Sequence, residues 1–223
     1  MLTDDPGTPE IGHWEINTAF TTEHRAGETV SEVPLVDINF GLRERVQLKY
    51  EVPWLRLSDR TGRHEGLGNP LVGVKWRFYD AGEKAWQLST FPQLEFNNPG
   101  SRSDERGLVG HGLSVILPFQ AMKDFGVFSV NADVGYIGRS HGGDEWFGGF
   151  AIGREVTHGV ALAAELHGNF DAHFRDAVLT TNFGARVDLS KRHTLLVSVG
   201  RELHQASGPH ATLIAYLGLQ TRL

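Results

Sequence analysis

The chain has 223 residues, no cysteine and a formal net charge of -6 at pH 7, with 40% hydrophobic and 22% charged residues. The acidic balance and the lack of a basic patch argue against a nucleic-acid-binding protein, and no run of about eighteen apolar residues marks a transmembrane helix. These values are compatible with a membrane barrel, because its strands need an apolar residue only at every second position.

Apolar and polar residues alternate along most of the chain, and a period of two residues is the signature of β-strands. The pattern is clearest in VDINFGLR and VQLKYEVPW, two neighbouring runs that predict a hairpin. In chain order, the predicted strands are 14–20, 36–42, 46–54, 72–78, 86–96, 107–121, 128–136, 145–155, 160–167, 182–188, 193–203 and 213–220. We therefore predict about twelve strands, and no helical period of comparable strength competes with them.

The predicted connections alternate in length. Longer polar connections are predicted at 24–31, 58–66, 97–106, 139–144, 171–176 and 204–210, and short ones at 43–45, 80–83, 122–124, 156–158 and 190–192. This alternation indicates an up-and-down meander whose long loops share one rim and whose short turns share the other. An even number of strands then places both chain ends on the short-turn rim.

The polar face of the predicted strands is rich in charge, which raises the question of which face lies inside. A barrel of about twelve strands is too wide to be filled by apolar side chains, since about eight strands already fill the interior. The apolar face must then meet lipid, and closure removes the sheet edges that lipid would leave unpaired. We predict an all-β fold: a single transmembrane antiparallel up-and-down β-barrel in a bacterial outer membrane. Residues 11–223 form the barrel, and residues 1–10 form an N-terminal periplasmic segment.

The alternation also assigns side chains to the two faces. The predicted lumen-lining residues are Glu15, Asn17, Asp37, Asn39, Lys49, Glu51, Lys75, Arg77, Glu95, Asn131, Asp133, Glu165, His167, Asn182, Arg186 and Asp188. The tryptophans fall on the apolar face near strand ends, where an indole at the headgroup boundary is favoured, and they predict an aromatic girdle. They are Trp14, Trp54, Trp76, Trp86 and Trp146. The alternative interpretation places them in the core of a β-sandwich.

Three prolines interrupt this pattern. Pro53, Pro92 and Pro118 fall inside predicted strands. Proline has no N–H group to donate to the ladder of a sheet, so each one predicts a bulge or a local break.

Four segments carry a resemblance to a known family: TDDPGTPEIGHWEINTAF at the start, VQLKYEVPW in the third predicted strand, GLGNPLVGVKWRF in the fourth and SVNADVGY in the seventh. Over most of its length, the chain resembles the outer-membrane transporter family named after the meta-cleavage pathway of phenol degradation. The resemblance implies a Gram-negative outer-membrane barrel that moves small molecules, with aromatic or apolar compounds as the suspected cargo. It implies no catalytic residue.

The sequence thus predicts a porin-like passive channel or facilitator for small molecules. Its partners would be membrane lipid and a small-molecule solute, and not nucleic acid. Two alternatives stay open: a closed structural or adhesion-type barrel acting through its outer loops, and a soluble ligand-binding β-barrel. We expect no enzyme, no cofactor and no metal site, because GHGLS lacks the G-x-S-x-G elbow and no phosphate-loop or zinc-protease motif is present. The pattern does not define an oligomeric state.

Overall fold

The computed structural model describes residues 1–82, 85–206 and 208–223. These residues form fourteen β-segments. The segments are β1 (Trp14–Arg25), β2 (Glu28–Arg43), β3 (Val46–Asp59), β4 (Gly62–Leu67), β5 (Leu71–Asp80), β6 (Trp86–Thr90), β7 (Gln93–Phe96), β8 (Leu113–Asp124), β9 (Ser129–Arg139), β10 (Glu145–Thr157), β11 (Val160–Asp171), β12 (Ala177–Asp188), β13 (His193–Gln205) and β14 (Ala211–Arg222). Nowhere in the described residues is there a helix long and apolar enough to cross a membrane.

The segments close into an antiparallel barrel of 12 strands. Neighbours in sequence pair with one another, β1 pairs with β14, and two barrel strands are each broken into two segments, β4 with β5 and β6 with β7. The seam between β1 and β14 brings the barrel ends together: Trp14 N donates to Leu223 O at 3.0 Å and Leu223 N donates to Trp14 O at 2.9 Å. The predicted strand number and the up-and-down topology are confirmed, and the two ends of the sheet, Trp14 and Leu223, meet at the short-turn rim.

Two predicted long connections, 24–31 and 58–66, are wrong because both are strand hairpins. Only residues 26–27 and 60–61 lie between the paired strands at these points. The polar composition predicted loops, but pairing of the backbone continues beyond the apolar band, where an outward-facing side chain no longer has to be apolar. Gly27, with a φ of 85°, adopts the left-handed conformation that so tight a turn requires.

The other connections follow the predicted alternation in length only in part. On the long-loop rim they are 97–112, 140–144, 172–176 and the connection from Gln205 to Ala211, and on the short-turn rim they are 44–45, 125–128, 158–159, 189–192 and the connection from Asp80 to Trp86. The connection from Asp80 to Trp86 is as long as that from Arg139 to Glu145. The predicted connections 80–83 and 204–210 include Glu83 and Ser207, which lie outside the described residues. Residues 97–112 make the longest of these connections, and we call them the inward loop.

The three prolines inside strands line an interruption of one wall. Pro53 lies opposite the gap between β4 and β5, Pro118 lies opposite the gap between β6 and β7, and Pro92 lies in that second gap. Gly68 N donates to Pro53 O at 2.8 Å, and Phe91 N donates to Pro118 O at 3.4 Å. Because the N–H and C=O of one strand residue point to the same neighbour, the missing N–H groups also face the gaps. The prediction is confirmed for the pairing, which is interrupted at all three prolines, but β3 and β8 themselves continue through Pro53 and Pro118.

Apolar side chains cover the outside of the barrel and polar side chains fill its inside. Large apolar residues with more than a third of their surface exposed include Phe20, Leu48, Val74, Phe119, Phe150 and Leu217. Buried polar residues include Asn39, Gln47, Lys75, Gln120, Asp133, Glu165, His167 and Asn182. This distribution is that of a barrel surrounded by lipid.

The five tryptophans all lie on the outer face, and their exposed fractions run from 38% for Trp146 to 55% for Trp76. Trp14, Trp76 and Trp86 lie toward the short-turn rim, whereas Trp54 and Trp146 lie toward the other rim. Indoles therefore occur at two levels of the outer surface, as the predicted girdle requires.

Candidate functional site

The first residues of the chain occupy the middle of the lumen. Where the chain turns inward at the short-turn rim, Gly12 N donates to Gly41 O at 2.8 Å and Gly41 N donates to His13 O at 3.0 Å. Residues 1–5, which we call the plug segment, then lie among side chains of the inner wall. The predicted periplasmic segment 1–10 thus begins inside the barrel, because groups of the inner wall bind its backbone and its carboxylate.

Two carboxylates of the wall accept the backbone N–H groups of the plug segment. Glu165 on β11 accepts the N–H of Leu2 at 3.0 Å and also that of Thr3, and Asp133 on β9 accepts the N–H of Asp4 at 3.4 Å. Hydrogen bonds to an ionised acceptor are stronger than those between neutral groups. The carboxylates therefore set the position of the backbone of the plug segment.

A cation and an amide bind the plug segment from the other wall. Lys75 Nζ on β5 lies 2.8 Å from Asp4 Oδ2 and donates to the carbonyl of Asp5 at 2.7 Å. Gln120 on β8 donates Nε2 to Asp4 Oδ2 at 2.9 Å, and its Oε1 accepts the hydroxyl of Ser89 at 2.7 Å. The residues Lys75, Ser89 and Gln120 are at most 3% exposed. Lys75 and Gln120 thus bind the Asp4 carboxylate from buried positions, and Ser89 orients Gln120.

The plug segment is held mainly by polar contacts. Its N–H groups face carboxylates and its own carboxylate faces Lys75, so donors and acceptors are matched across the lumen. Met1 and Leu2 remain 41% and 50% exposed. Each hydrogen bond contributes about 0.5–1.5 kcal/mol net, somewhat more when one partner is charged. Water or a polar solute can replace such contacts one by one.

Two glycines of the inner wall leave room for the chain to pass. A Cβ on Gly149 of β10 would collide with Thr3 Oγ1 and would lie 2.7 Å from Asp133 Oδ1. A Cβ on Gly41 of β2 would collide with the backbone carbonyl of Glu10. The path of the N-terminal residues is therefore built into the wall.

A second polar cluster lies on the inner face of β1, β2 and β3. Lys49 Nζ is 2.7 Å from Glu51 Oε2 and 3.3 Å from Asp37 Oδ1. Asp37 also accepts the side-chain amides of Asn17 and Asn39, each at 3.1 Å. The structure thus brings five of the predicted lumen residues into one network, in which the charge of Lys49 is matched by carboxylates of its own wall.

The other predicted lumen residues have surroundings of three kinds. Asn182 donates Nδ2 to Glu165 at 2.8 Å and so helps to orient the carboxylate that binds the plug segment. Ion pairs near the short-turn rim are Glu15 with Arg222 (3.6 Å), Arg77 with Asp80 (3.5 Å) and Arg186 with Asp188 (3.2 Å). The rest are Glu95, which accepts Asn69 Nδ2 at 2.9 Å, Asn131 on β9, and His167, whose ring centroid is 6.0 Å from that of Phe147.

The inward loop packs against β4 near the outer end of the lumen. Ser103, which is fully buried, donates its hydroxyl to Leu67 O at 2.6 Å, and Arg106 donates to Glu65 O at 3.1 Å. A Cβ on Gly66 would lie 3.0 Å from Ser103 Oγ. The loop therefore narrows the outer mouth, while the plug segment fills the middle.

The inward loop is also braced internally. Asn97 donates Nδ2 to Gly110 O at 2.8 Å, and His111 Nδ1 lies 2.9 Å from Asp104 Oδ2. The hydrogen bond from His111 holds the pKa of the Asp104 carboxyl below its usual range. These two hydrogen bonds connect the two ends of the inward loop to one another and to its middle.

The alternation pattern does not indicate the plug segment or the role of Gln120, and it predicts 97–106 as a long connection without indicating that it folds inward. One signal was available: Lys75 was predicted to face inward on a strand of the wall, and a buried cation needs a partner. No pattern in residues 1–5 says that this partner is Asp4. In the part of the chain that the structure describes, no group of three or more His, Cys, Asp or Glu side chains is placed to hold a metal ion.

The family model described as "Putative MetA-pathway of phenol degradation" matches residues 12–216 of the chain. Among solved structures, the COG4313 outer membrane channel from Pseudomonas putida F1 is similar with a TM-score of 0.82 and 15% identity over 100% of both chains. The KdgM porin, solved with disordered oligogalacturonate, matches with a TM-score of 0.64 and 12% identity over 92% of this chain and 98% of its own. The CymD monoaromatic hydrocarbon channel matches with a TM-score of 0.53 and 8% identity over 96% and 89%. No curated protein matches the sequence.

Proposed function

The chain belongs to the Phenol_MetA_deg family, and on that premise we propose that it is an outer-membrane channel for small molecules, with neutral aromatic and apolar compounds among them. Residues 11–223 would be the fixed barrel and residues 1–10 its movable part. The predicted lumen residues would line the path. The single observation that carries the proposal is the polar attachment of the plug segment, because an obstruction held by exchangeable hydrogen bonds can be displaced.

The suggested cargo has two further supports. The family is described by a pathway of phenol degradation, and the similar CymD structure is a monoaromatic hydrocarbon channel. Neutral aromatic compounds gain little binding free energy from charged side chains, so their passage requires an apolar part of the wall. Leu35 and Pro53, which pair with one another on the inner face of β2 and β3, supply such a part.

A disulfide lock tests whether the plug segment must move. The chain has no cysteine, so Thr3→Cys with Gly149→Cys would create one unique pair at positions whose side chains must meet. In liposome swelling with a small sugar, we expect the oxidised double variant to pass less solute than the wild type, and a reductant to restore the flux. Thr3→Cys alone is the control for oxidation, and Gly149→Cys alone, whose side chain crowds Thr3, gives the flux expected without the lock. Equal flux in the oxidised and reduced double variant would contradict the proposal.

A closed barrel that acts through its outer loops is the second candidate. The observation that favours it is that the inward loop and the plug segment both occupy the lumen. Removing residues 1–8 separates the two candidates in the same swelling assay. A channel should then conduct more, whereas a closed barrel should stay impermeable after the deletion.

A further inference from the structure

Lys75 differs from the other predicted lumen cations in the origin of its partner. Asp4 of the plug segment is the one carboxylate in ion-pair contact with Lys75 Nζ in the described part of the chain. The other predicted lumen cations pair with carboxylates of the barrel wall, as Lys49 does with Asp37 and Glu51. A buried charge without a partner is costly. Displacement of the plug segment would therefore leave Lys75 in need of another anion.

The two groups that bind the Asp4 carboxylate are held in place by residues of the wall. Ser89 on β6 donates to Gln120 Oε1 at 2.7 Å, so the amide of Gln120 turns its Nε2 toward the plug segment. The ring centroid of Phe91 lies 4.8 Å from Lys75 Nζ and supports the ammonium group. Ser89, Phe91 and Gln120 are at most 3% exposed. Both donors are therefore preorganised for a carboxylate, whichever molecule carries it.

The bound carboxylate is open to the lumen on its other side. The side chain of Asp4 is 45% exposed, whereas that of Lys75 is 4% exposed. The opposite wall offers carboxylates to the plug segment, with Asp133 at 3.4 Å from Asp4 N and Glu165 at 3.0 Å from Leu2 N. These carboxylates repel an anion. A solute carboxylate that enters the lumen is therefore directed to the position beside Lys75.

The geometry at this position favours an ionised oxygen. Lys75 Nζ and Gln120 Nε2 converge on the same atom, Asp4 Oδ2, at 2.8 and 2.9 Å. Hydrogen bonds to an ionised acceptor are about twice as strong as those between neutral groups. A neutral amide oxygen at the same place would accept both donors but would leave the charge of Lys75 unbalanced. The position therefore discriminates between a carboxylate and a neutral group of the same shape.

We propose that Lys75 and Gln120 form a binding subsite for small carboxylic acids, and that the Asp4 carboxylate occupies it until a solute replaces it. The carboxylate of the solute exchanges with that of Asp4, and the charge of Lys75 stays balanced. The proposal rests on the proposed function and deepens it, because it adds organic acids to the solutes of the channel. It also gives the plug segment a chemical signal for its release.

Two substitutions on opposite sides of one ion pair test the subsite. Asp4→Ala removes the competing carboxylate and Lys75→Met removes the cation, so both break the same contact. In ligand-detected NMR titrations of the full chain in non-ionic detergent, benzoate should bind Asp4→Ala about tenfold more tightly than the wild type, because no competing group has to leave. Lys75→Met should lose saturable binding of benzoate. Benzamide, which has nearly the same shape without the charge, should bind none of these proteins.

The outcomes separate the subsite from simple release of the plug segment. Equal affinity of benzoate for Asp4→Ala and Lys75→Met would overturn the proposal, since release alone would then admit the solute. Equal binding of benzamide and benzoate would overturn it as well, because the carboxylate would not be recognised. Gln120→Leu, which should also weaken benzoate binding, replaces Lys75→Met if that variant does not fold. Arg56→Met, at an exposed ion pair, is the control and should bind benzoate as the wild type does.

The channel itself is measured separately on the same variants. Swelling with a small sugar, without benzoate, should rise in both Asp4→Ala and Lys75→Met, because both loosen the plug segment. Benzoate binding should change in opposite directions in these two variants. A failure of the channel would therefore appear in swelling alone, and a failure of the subsite would appear in the titrations alone.

Discussion

The barrel has two walls of different construction. From β9 to β12 the strands are unbroken, and the pairs β9–β10 and β11–β12 keep one register along their whole length. From β3 to β8 two barrel strands are interrupted and three prolines face the interruptions. The unbroken wall presents the carboxylates of Glu165 and Asp133 to the plug segment, whereas the broken wall presents the cation of Lys75 and the prolines at its interruptions. The two sides of one sheet therefore bind the plug segment with groups of opposite charge.

Introducing a proline into the unbroken wall should have the largest effect. Val134→Pro on β9 removes a ladder donor between two intact neighbours, Gly148 and Phe119, and an unpaired group in lipid costs several kcal/mol. We expect this variant not to fold, as judged by heat-modifiable migration in gels, and Val134→Ala to fold. Pro118→Ala in the broken wall should fold as well. A folded Val134→Pro barrel would mean that the two walls do not differ in this way.

Filling the path of the plug segment should have the next largest effect. Gly149→Ala would push Thr3 away, and such overpacking costs about 1–3 kcal/mol, enough to shift a two-state equilibrium about fivefold or more. We expect a correspondingly higher conductance in planar bilayers. Gly153→Ala on the same strand is the matched control, because its Cβ would lie 3.2 Å from the rotatable Ser129 hydroxyl. A Gly149→Ala variant with the conductance of the wild type would argue against displacement of the plug segment.

Removing the cation of the broken wall should have a smaller effect. Lys75→Met deprives Asp4 of its ion-pair partner but leaves the hydrogen bond from Gln120 and those to Glu165. We expect swelling rates to rise by about threefold to tenfold, since losing a charged hydrogen bond costs about 1.5–3 kcal/mol before compensation. Arg56→Met at an exposed pair should leave the rate unchanged.

The smallest effect concerns ion selectivity. Acids outnumber bases on the predicted lumen face, so a barrel without residues 1–8 should prefer cations over anions. Lys49→Gln would leave the negative charges of Asp37 and Glu51 without their cationic partner, and the preference for cations should rise modestly. Reversal potentials in a salt gradient measure it. Anion preference in the parent barrel would contradict the assignment of the lumen charges.

The sequence predicted the unbroken wall far better than the broken one, for a physical reason. Alternation is a local property, so FSVNADVGY predicts both the strand and its inner face without knowledge of its neighbours. Pro53, Pro92 and Pro118 signalled breaks, but only the register between strands shows that the breaks adjoin. Glu165 lies more than a hundred and fifty residues from Leu2, which it binds, and no local pattern encodes such a contact.

The seam between β1 and β14 has a consequence for the order of folding. It joins Trp14 to Leu223, so its loop-closure entropy is the greatest of any strand pair in the barrel. All other neighbouring strands can pair as local hairpins, β1 with β2 among them, but this ladder needs both ends of the sheet. Because the plug segment precedes β1 directly, closure of the wall and enclosure of the plug segment are coupled steps.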